Sequence, residues 1–307
     1  MENLNFKKII VIIPAYNEEG RIAETISAFK DIREKFREQG IVLLIYVIDD
    51  GSADGTKLRS EEAGADRILH HKVNMGLGAA VRTGLAAARA DGADIVIKFD
   101  ADLQHDPNDI AELILPILND EADVVYGNRF ERIEYEMPPV RRVGNVFFTT
   151  LMRWLTKWPL KDSQPGIFAV NRAYLDVFHL PGDYNYTQQI LIDAYHKGMR
   201  FAHCPVAFRK RITGKSFISL KYPFKVLPQI LMVIAGVKPM RIFAPVGLTF
   251  LSGATFVFCI ELLLWLIGMT VKPVVHVNAV LGLSLFGLQT LFFGIIAELI
   301  IQSRRKP

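Results

Sequence analysis

Two apolar runs near the end of the sequence limit what the chain can be. "FAPVGLTFLSGATFVFCIELLLWLIG" (Phe243 to Gly268) and "AVLGLSLFGLQTLFFGIIAELII" (Ala279 to Ile301) each exceed the ~20 residues that carry a helix across a bilayer. Core helices of a soluble domain rarely stay apolar on every face for so long. A two-helix transmembrane hairpin is therefore expected. Lys238 and Arg241 precede the first run, Arg304, Arg305 and Lys306 follow the second, and only Lys272 lies in the loop between them. By the positive-inside rule both ends, and everything before the hairpin, face the cytoplasm. "MENLNFKK" leads straight into a strand-like run, so no secretory signal is expected.

The rest reads as a cytoplasmic domain over residues 1–212, followed by a mixed apolar and basic segment, 213–241, and the hairpin within 242–307. Cys204 and Cys259 fall in different regions and support neither a disulfide frame nor a zinc site. A net charge of +4 is too mild to suggest a nucleic-acid partner; its clustering beside the hairpin suits anionic lipid. In the segment before the hairpin, Lys221, Lys225, Lys238 and Arg241 punctuate apolar residues, as in helices that lie among lipid headgroups.

Within the soluble part, strand and helix signals alternate. "KIIVIIPAYN" reads as a buried strand stopped by Pro14, and "EEGRIAETISAFKDIREKF" as a helix with Ile22, Ile26 and Phe29 on one face. "IVLLIYVIDD", "DRILHH", "ADIVIKFD" and "ADVVYGN" supply further strands, with "DGTKLRSEEAG", "GAAVRTGLAAARADG" and "PNDIAELILPIL" as helices between them. Continuous apolar strands separated by amphipathic helices imply an α/β fold, a mostly parallel sheet with helices on both faces. Ligands in such folds bind at the carboxyl ends of the strands. Asp49 and Asp50 end one strand; Asp100 and Asp102 end another, with Gln104 close behind. If those strands are neighbours, the acids converge on one crevice. Crowded carboxylates repel unless a cation compensates, and hard oxygen ligands of this kind suit Mg²⁺ or Mn²⁺.

"VIIPAYNEEG", "VIDDGSADGT", "HKVNMGLGAAVRTGL", "FDADLQHDP" and "YGNRF", in that order, resemble the family-2 glycosyltransferases of GT-A (Rossmann-like) fold, most closely the dolichyl-phosphate mannose synthase and polyprenyl-phosphate hexosyltransferase branch. "DSQPGIFAVNR" and "PVAFRKRITGKSF" extend the likeness over about two thirds of the chain. The resemblance implies an inverting, metal-dependent transfer of a hexose from a nucleotide sugar, UDP- or GDP-linked, to a polyprenyl (dolichyl-type) phosphate at the bilayer. It places Pro14, Tyr16 and Glu18 at the nucleotide, Ile48 and Asp50 at the base and ribose, and Asp100, Ala101 and Asp102 at the donor. Asp102 and Gln104 would hold the Mg²⁺ or Mn²⁺ directly, with Asp100 acting through water. Arg129, Arg141, Asn145, Arg211 and Lys215 would gather the lipid phosphate, since guanidinium groups grip phosphate in bidentate fashion. "DSQPG" is closer to glucosyl-transferring relatives and leans toward a UDP-sugar over GDP-mannose.

Two positions depart from the family pattern. Phe217 stands where relatives carry a lysine, with Lys215 two positions earlier, and Gln189 stands near a usual acid. A sugar hydroxyl needs a base as it attacks, whereas a phosphomonoester, with a second pKa of about 6, is already a nucleophile at neutral pH. The departure therefore fits a lipid-phosphate acceptor. A glycolipid or polysaccharide acceptor, or a non-catalytic partner that only binds nucleotide sugar, are the competing readings; two spans do not readily form an export channel. His70, His71 and His105 lack metal-ligand spacing and are expected in surface or supporting roles. Glu298 is near enough to Arg304 and Arg305 to snorkel toward them, and Glu261, deeper in its span, leaves a polar contact or self-association of the hairpins as its readings.

Overall fold

The computed structural model describes residues 8–102, 104–133, 139–180, 182–183, 185–208, 235 and 238–304, the side chains of 131–133, 139–141, 143 and 302–304 excepted. Two compact units divide the chain, Met1–Val226 and Leu227–Pro307. The first contains β1 (Lys8–Ala15), β2 (Val42–Asp49), β3 (Arg67–His70), β4 (Ile95–Lys98), β5 (Val124–Ile133), β6 (Phe168–Asn171) and β7 (Phe201–Phe208). Its helices are α1 (Ile22–Ser27), α2 (Lys30–Glu38), α3 (Thr56–Glu62), α4 (Leu77–Ala90), α5 (Asp109–Leu118), α6 (Pro139–Thr156), α7 (Arg172–Leu175) and α8 (Tyr186–His196).

These strands form one sheet in the order β3-β2-β1-β4-β6-β5-β7. β1 is parallel to β2 and β4, and β2 to β3, so their carboxyl ends share one edge. The expected parallel α/β sheet is present, with two strands beyond the five expected: β7 runs parallel to β5 at the edge, and β6 lies antiparallel between β4 and β5. β6 has only four residues, too few to announce a period. Residues 9–15 of β1 are all buried, as a strand covered on both faces must be. Pro14 does not stop β1; it pairs in register with Ile48. The ring is tolerated because residues 12 and 14 face β4, which has already ended at Lys98, the partner of Ile12. The single helix expected after β1 is divided into α1 and α2. Phe29, at the junction, is fully buried and meets Phe99 edge-on at 5.0 Å.

Asp123 ties three strands at the sheet's other end. Its carboxylate accepts from Arg200 N–H (2.8 Å) and Nε (3.1 Å) and from Asn171 Nδ2 (2.8 Å), at the starts of β5 and β7 and the end of β6. Burial alone would raise its pKa, but the hydrogen bonds from Arg200 and Asn171 outweigh burial and hold it below the usual carboxylate range.

The second unit contains α9 (Met240–Leu266) and α10 (Val277–Arg304), both long and apolar enough to cross a membrane. Their contact is built on small residues. A Cβ on Gly247 would lie 2.9 Å from the Gly287 carbonyl oxygen, and one on Gly287 would lie 2.9 Å from the Gly247 carbonyl oxygen. Glu261 reaches from α9 to the turn before α10. Its carboxylate accepts from Val275 N–H (2.8 Å) and His276 N–H (3.1 Å) and lies 2.5 Å from His276 Nδ1. The polar contact expected of Glu261 is thus made inside the hairpin. The partners expected for Glu298, and most of the expected interfacial segment, lie outside the described residues.

Replacing Asp123 by Ala should cost about 2–3 kcal/mol at neutral pH, the range of a charge-assisted hydrogen bond lost from a largely buried site. Because the folded pKa is lowered, the wild-type advantage is complete above the unfolded carboxylate value of ~3.9 and fades as pH falls below it. Urea unfolding of both proteins across that range checks it; equal midpoints at pH 7 would contradict it.

Candidate active site

The acids of both strand ends reach the same edge of the sheet, but β1 stands between β2 and β4, so they are not on neighbouring strands. Each set finds compensation within the protein. Asp49 Oδ1 accepts from Ser52 N–H (3.0 Å), and its Oδ2 lies 2.8 Å from His70 Nδ1. Asp50 Oδ1 accepts from Met75 N–H (2.9 Å) and lies 2.7 Å from His71 Nδ1, while its Oδ2 accepts from Gly76 N–H (2.8 Å) at the start of α4. A helix N-terminus favours negative charge there. His71 is held in turn by Thr83 Oγ1 at 3.0 Å. The adjacent histidines thus support the acids.

At the end of β4 the compensating cation is Lys98, which the sequence reading passed over. It is wholly buried, and its ammonium donates to Asp100 Oδ1 and to the Gly166 carbonyl (2.7 Å) and lies 5.7 Å from the Tyr186 ring centroid. Burial pulls its pKa down, but the charge of Asp100 and the contact with Tyr186 outweigh that and hold it above the ordinary lysine range. Its signal was a lone cation inside the apolar run "IVIKF", since lysine is almost never fully buried unless paired. Gly166 is required by close approach: a Cβ there would sit 2.6 Å from Asp100 Oδ2 and 2.2 Å from His105 Nε2. His105 is packed between Phe99 and Phe208. Burial pushes its pKa down to about 4, with Asp100 only partly opposing, so the imidazole is neutral.

The remaining expected residues are distributed around this edge. Pro14 is buried in β1, whereas Tyr16 is 48% exposed just beyond it. Glu18 N–H donates to Thr56 Oγ1 (2.8 Å), Asn17 N–H to Ser52 Oγ (3.0 Å) and Ala53 N–H to Asn17 Oδ1 (2.9 Å), lacing the loops after β1 and β2 together. Ile48 is fully buried, with its Cδ1 against Gly84 of α4. The glycine-rich turn before α4 docks onto a later loop, where Gly78 N–H donates to the Asp183 carbonyl at 3.0 Å. Ala101 is buried, and its carbonyl accepts from Thr25 Oγ1 at 3.2 Å. Asp102 Oδ1 accepts from Gln104 N–H at 3.2 Å. Among the described residues no three His, Cys, Asp or Glu side chains are grouped to hold a metal. Asp102 and Gln104 would offer one carboxylate and one amide oxygen, donor types that suit Mg²⁺ or Mn²⁺, ions that keep waters and substrate phosphates as further ligands.

Arg129 does not project freely. Its Nε lies 2.8 Å from Asp162 Oδ2 in a buried ion pair, and its guanidinium lies over the Phe208 and Phe130 rings at 5.3 and 5.5 Å. Asn145 Nδ2 donates to the same Asp162 (3.0 Å), and its Oδ1 accepts from Thr149 Oγ1 (3.1 Å). Asp162, at the start of "DSQPG", therefore gathers two of the residues expected at the lipid phosphate. Gln189 is buried on α8, its Oε1 accepting from Gly182 N–H at 3.1 Å. Arg211, Lys215, Phe217 and the Arg141 side chain lie outside the described residues.

Residues 10–178 match the glycosyl transferase family 2 model. An uncharacterized protein of Methanocaldococcus jannaschii is 31% identical over 67% of this chain and 83% of its own length. A UDP-N-acetylglucosamine–dolichyl-phosphate N-acetylglucosaminyltransferase of Methanococcus voltae is 34% identical over 56% of this chain and 72% of its own. A dolichyl-phosphate hexose transferase of Haloferax volcanii is 28% identical over 69% and 87%. Among solved structures, glucosyl-3-phosphoglycerate synthase of Mycobacterium tuberculosis, in complex with Mn²⁺, UDP and phosphoglyceric acid, superposes with a TM-score of 0.57 at 23% identity, over 74% of this chain and 77% of that one. That likeness is one of fold.

Lys98→Met would leave Asp100 and the Gly166 carbonyl without their cation. Breaking a buried pair costs about 3 kcal/mol or more, and Asp100, partly open to solvent, keeps the expected loss at the lower end. Chemical denaturation measures it, and a wild-type midpoint would show the ammonium to be dispensable.

Proposed function

The chain belongs to glycosyl transferase family 2, and from that premise we propose that it moves a hexose from a nucleotide sugar to a polyprenyl phosphate at a membrane surface, with inversion. The observation that carries this reading is the pairing of the family's core with two helices of membrane-spanning length and hydropathy. An acceptor with a long isoprenoid tail stays in the bilayer, so an enzyme that uses it benefits from being held there. The dolichyl-phosphate acceptors in the names of two relatives support the same class. UDP, in the name of one relative, favours a UDP-sugar donor. The flanking lysines and arginines favour a cytoplasmic catalytic domain with both termini on that side. In this reading the catalytic region extends to residue 212, residues 213–241 lie at the interface and 242–307 form the hairpin.

Each residue group has a task in the transfer. Asp102 and Gln104 hold the divalent cation, and Asp100, fixed by Lys98, orients the turn that presents them. A divalent cation held there would supply positive charge to stabilise the departing nucleotide diphosphate. Pro14, Tyr16, Glu18, Ile48, Asp50 and Ala101 border the nucleotide. Arg129, kept in place by Asp162, joins Arg141, Asn145, Arg211 and Lys215 in drawing the second anionic substrate close. The lipid phosphate already carries a nucleophilic oxygen at neutral pH. Gln189, whose Oε1 accepts from Gly182 N–H, offers no base, and an acceptor that is already ionised requires none. Attack on the anomeric carbon from the face opposite the diphosphate inverts its configuration.

Asp102→Ala should lower transfer by at least about 10²-fold, the scale of losing one transition-state charge stabiliser, at any Mg²⁺ or Mn²⁺ concentration. Near-normal turnover would remove Asp102 from the metal site. Membranes containing the full chain, given polyprenyl phosphate and a panel of labelled nucleotide sugars, should pass label from a UDP-sugar into extracted lipid. Label reaching only glycolipid or polysaccharide would replace the acceptor proposed here.

A further inference from the structure

α6 has two unlike faces. Asn145 and Met152 belong to its buried side, whereas Val146, Phe147 and Trp154 stand 59%, 55% and 67% exposed. Phe147 and Trp154 are seven residues apart, hence in nearly the same column two turns along the helix. Large aromatic residues grouped in the open mark a contact surface. Along the adjoining edge of this face, Arg142 and Arg153 are exposed, as is Lys157 just past the helix end, and α6 contains no Asp or Glu.

We infer that this outward face of α6 lies on the membrane, Phe147 and Trp154 entering the headgroup region and Arg142, Arg153 and Lys157 meeting anionic lipid. The combination of aromatic residues with an adjoining basic edge is that of helices that bind bilayer surfaces, and the charge is complementary to an anionic leaflet. The inference rests on α9 and α10 crossing a membrane, which keeps a bilayer within reach of the same chain. Its consequence concerns the acceptor: α6 also carries Arg141 in its first turn and Asn145 on its inner side. Seating its outer face on lipid sets the groups proposed for the lipid phosphate at headgroup height.

The sequence has three tryptophans, which allows a direct test on the full chain in liposomes of anionic lipid with acyl chains brominated near the headgroup. With Trp158→Phe and Trp265→Phe, emission comes from Trp154; with Trp154→Phe and Trp158→Phe, it comes from Trp265 in α9. Loss of emission from both is expected. Quenched Trp265 with bright, acrylamide-accessible Trp154 would overturn the docking while keeping the hairpin in the membrane. A bright Trp154 shielded from acrylamide would overturn it too, and would assign the face to protein, such as residues 209–234 of this chain or a soluble partner. Bright emission from both would overturn the hairpin reading and the docking together. In the same liposomes, Phe147→Glu and Trp154→Glu should raise KM for a long-chain polyprenyl phosphate severalfold while leaving kcat, and KM for a short water-soluble analogue, unchanged; equal effects on both acceptors would also overturn the inference.

Discussion

A single ammonium holds the site together. Lys98 leaves β4, bonds the aspartate that follows it two residues later, and takes the carbonyl of Gly166 and the face of Tyr186 as its other partners. Three stretches far apart in sequence, the strand end, the "DSQPG" segment and the first turn of α8, are thereby fixed to one point. A buried cation without such partners would carry a desolvation cost of several kcal/mol. Asp100, the Gly166 carbonyl and Tyr186 together offset that cost. That makes the position of Asp100 a property of the tertiary structure and not of its loop.

Asp162 repeats this logic on the neighbouring side. It takes the Arg129 guanidinium and the Asn145 amide, so two cation-and-carboxylate clusters flank the same segment. In the first a cation orients an acid, and in the second an acid, Asp162, orients Arg129 and Asn145, which draw in an anionic substrate in the proposed reaction. A basic residue restrained in this way has less freedom to lose when a phosphate arrives.

What the sequence made legible follows from how each feature is encoded. β1, β2 and β4 were readable because a strand buried on both faces must be continuously apolar, and the pair of long apolar runs could hardly be anything but α9 and α10. β6 was not, because four residues carry no period and its antiparallel place depends on pairing with β4, 70 or more positions earlier, and with β5, more than 40 positions earlier. The acids at the strand ends were found from their position, but the cation that answers Asp100 was assigned to a metal alone, although Lys98 stood two residues before it. His70 and His71 show the same limit. Their level with Asp49 and Asp50 comes from the register of β3 against β2, which no local pattern states. Pro14 was read as a stop because the rule against proline in strands is local, whereas its tolerance depends on where β4 ends.

The glycine contact and the Glu261 cap act on α9 and α10 at different heights. Gly247 and Gly287 bring the backbones together along the helices, and Glu261 fastens the turn that joins them. Two helices pinned at both places cannot readily slide past one another. A bilayer thicker or thinner than their apolar length must then be met by tilting the pair as one body or by deforming the lipid. In the proposed membrane-spanning placement, membrane thickness would change this hairpin's orientation and not its register.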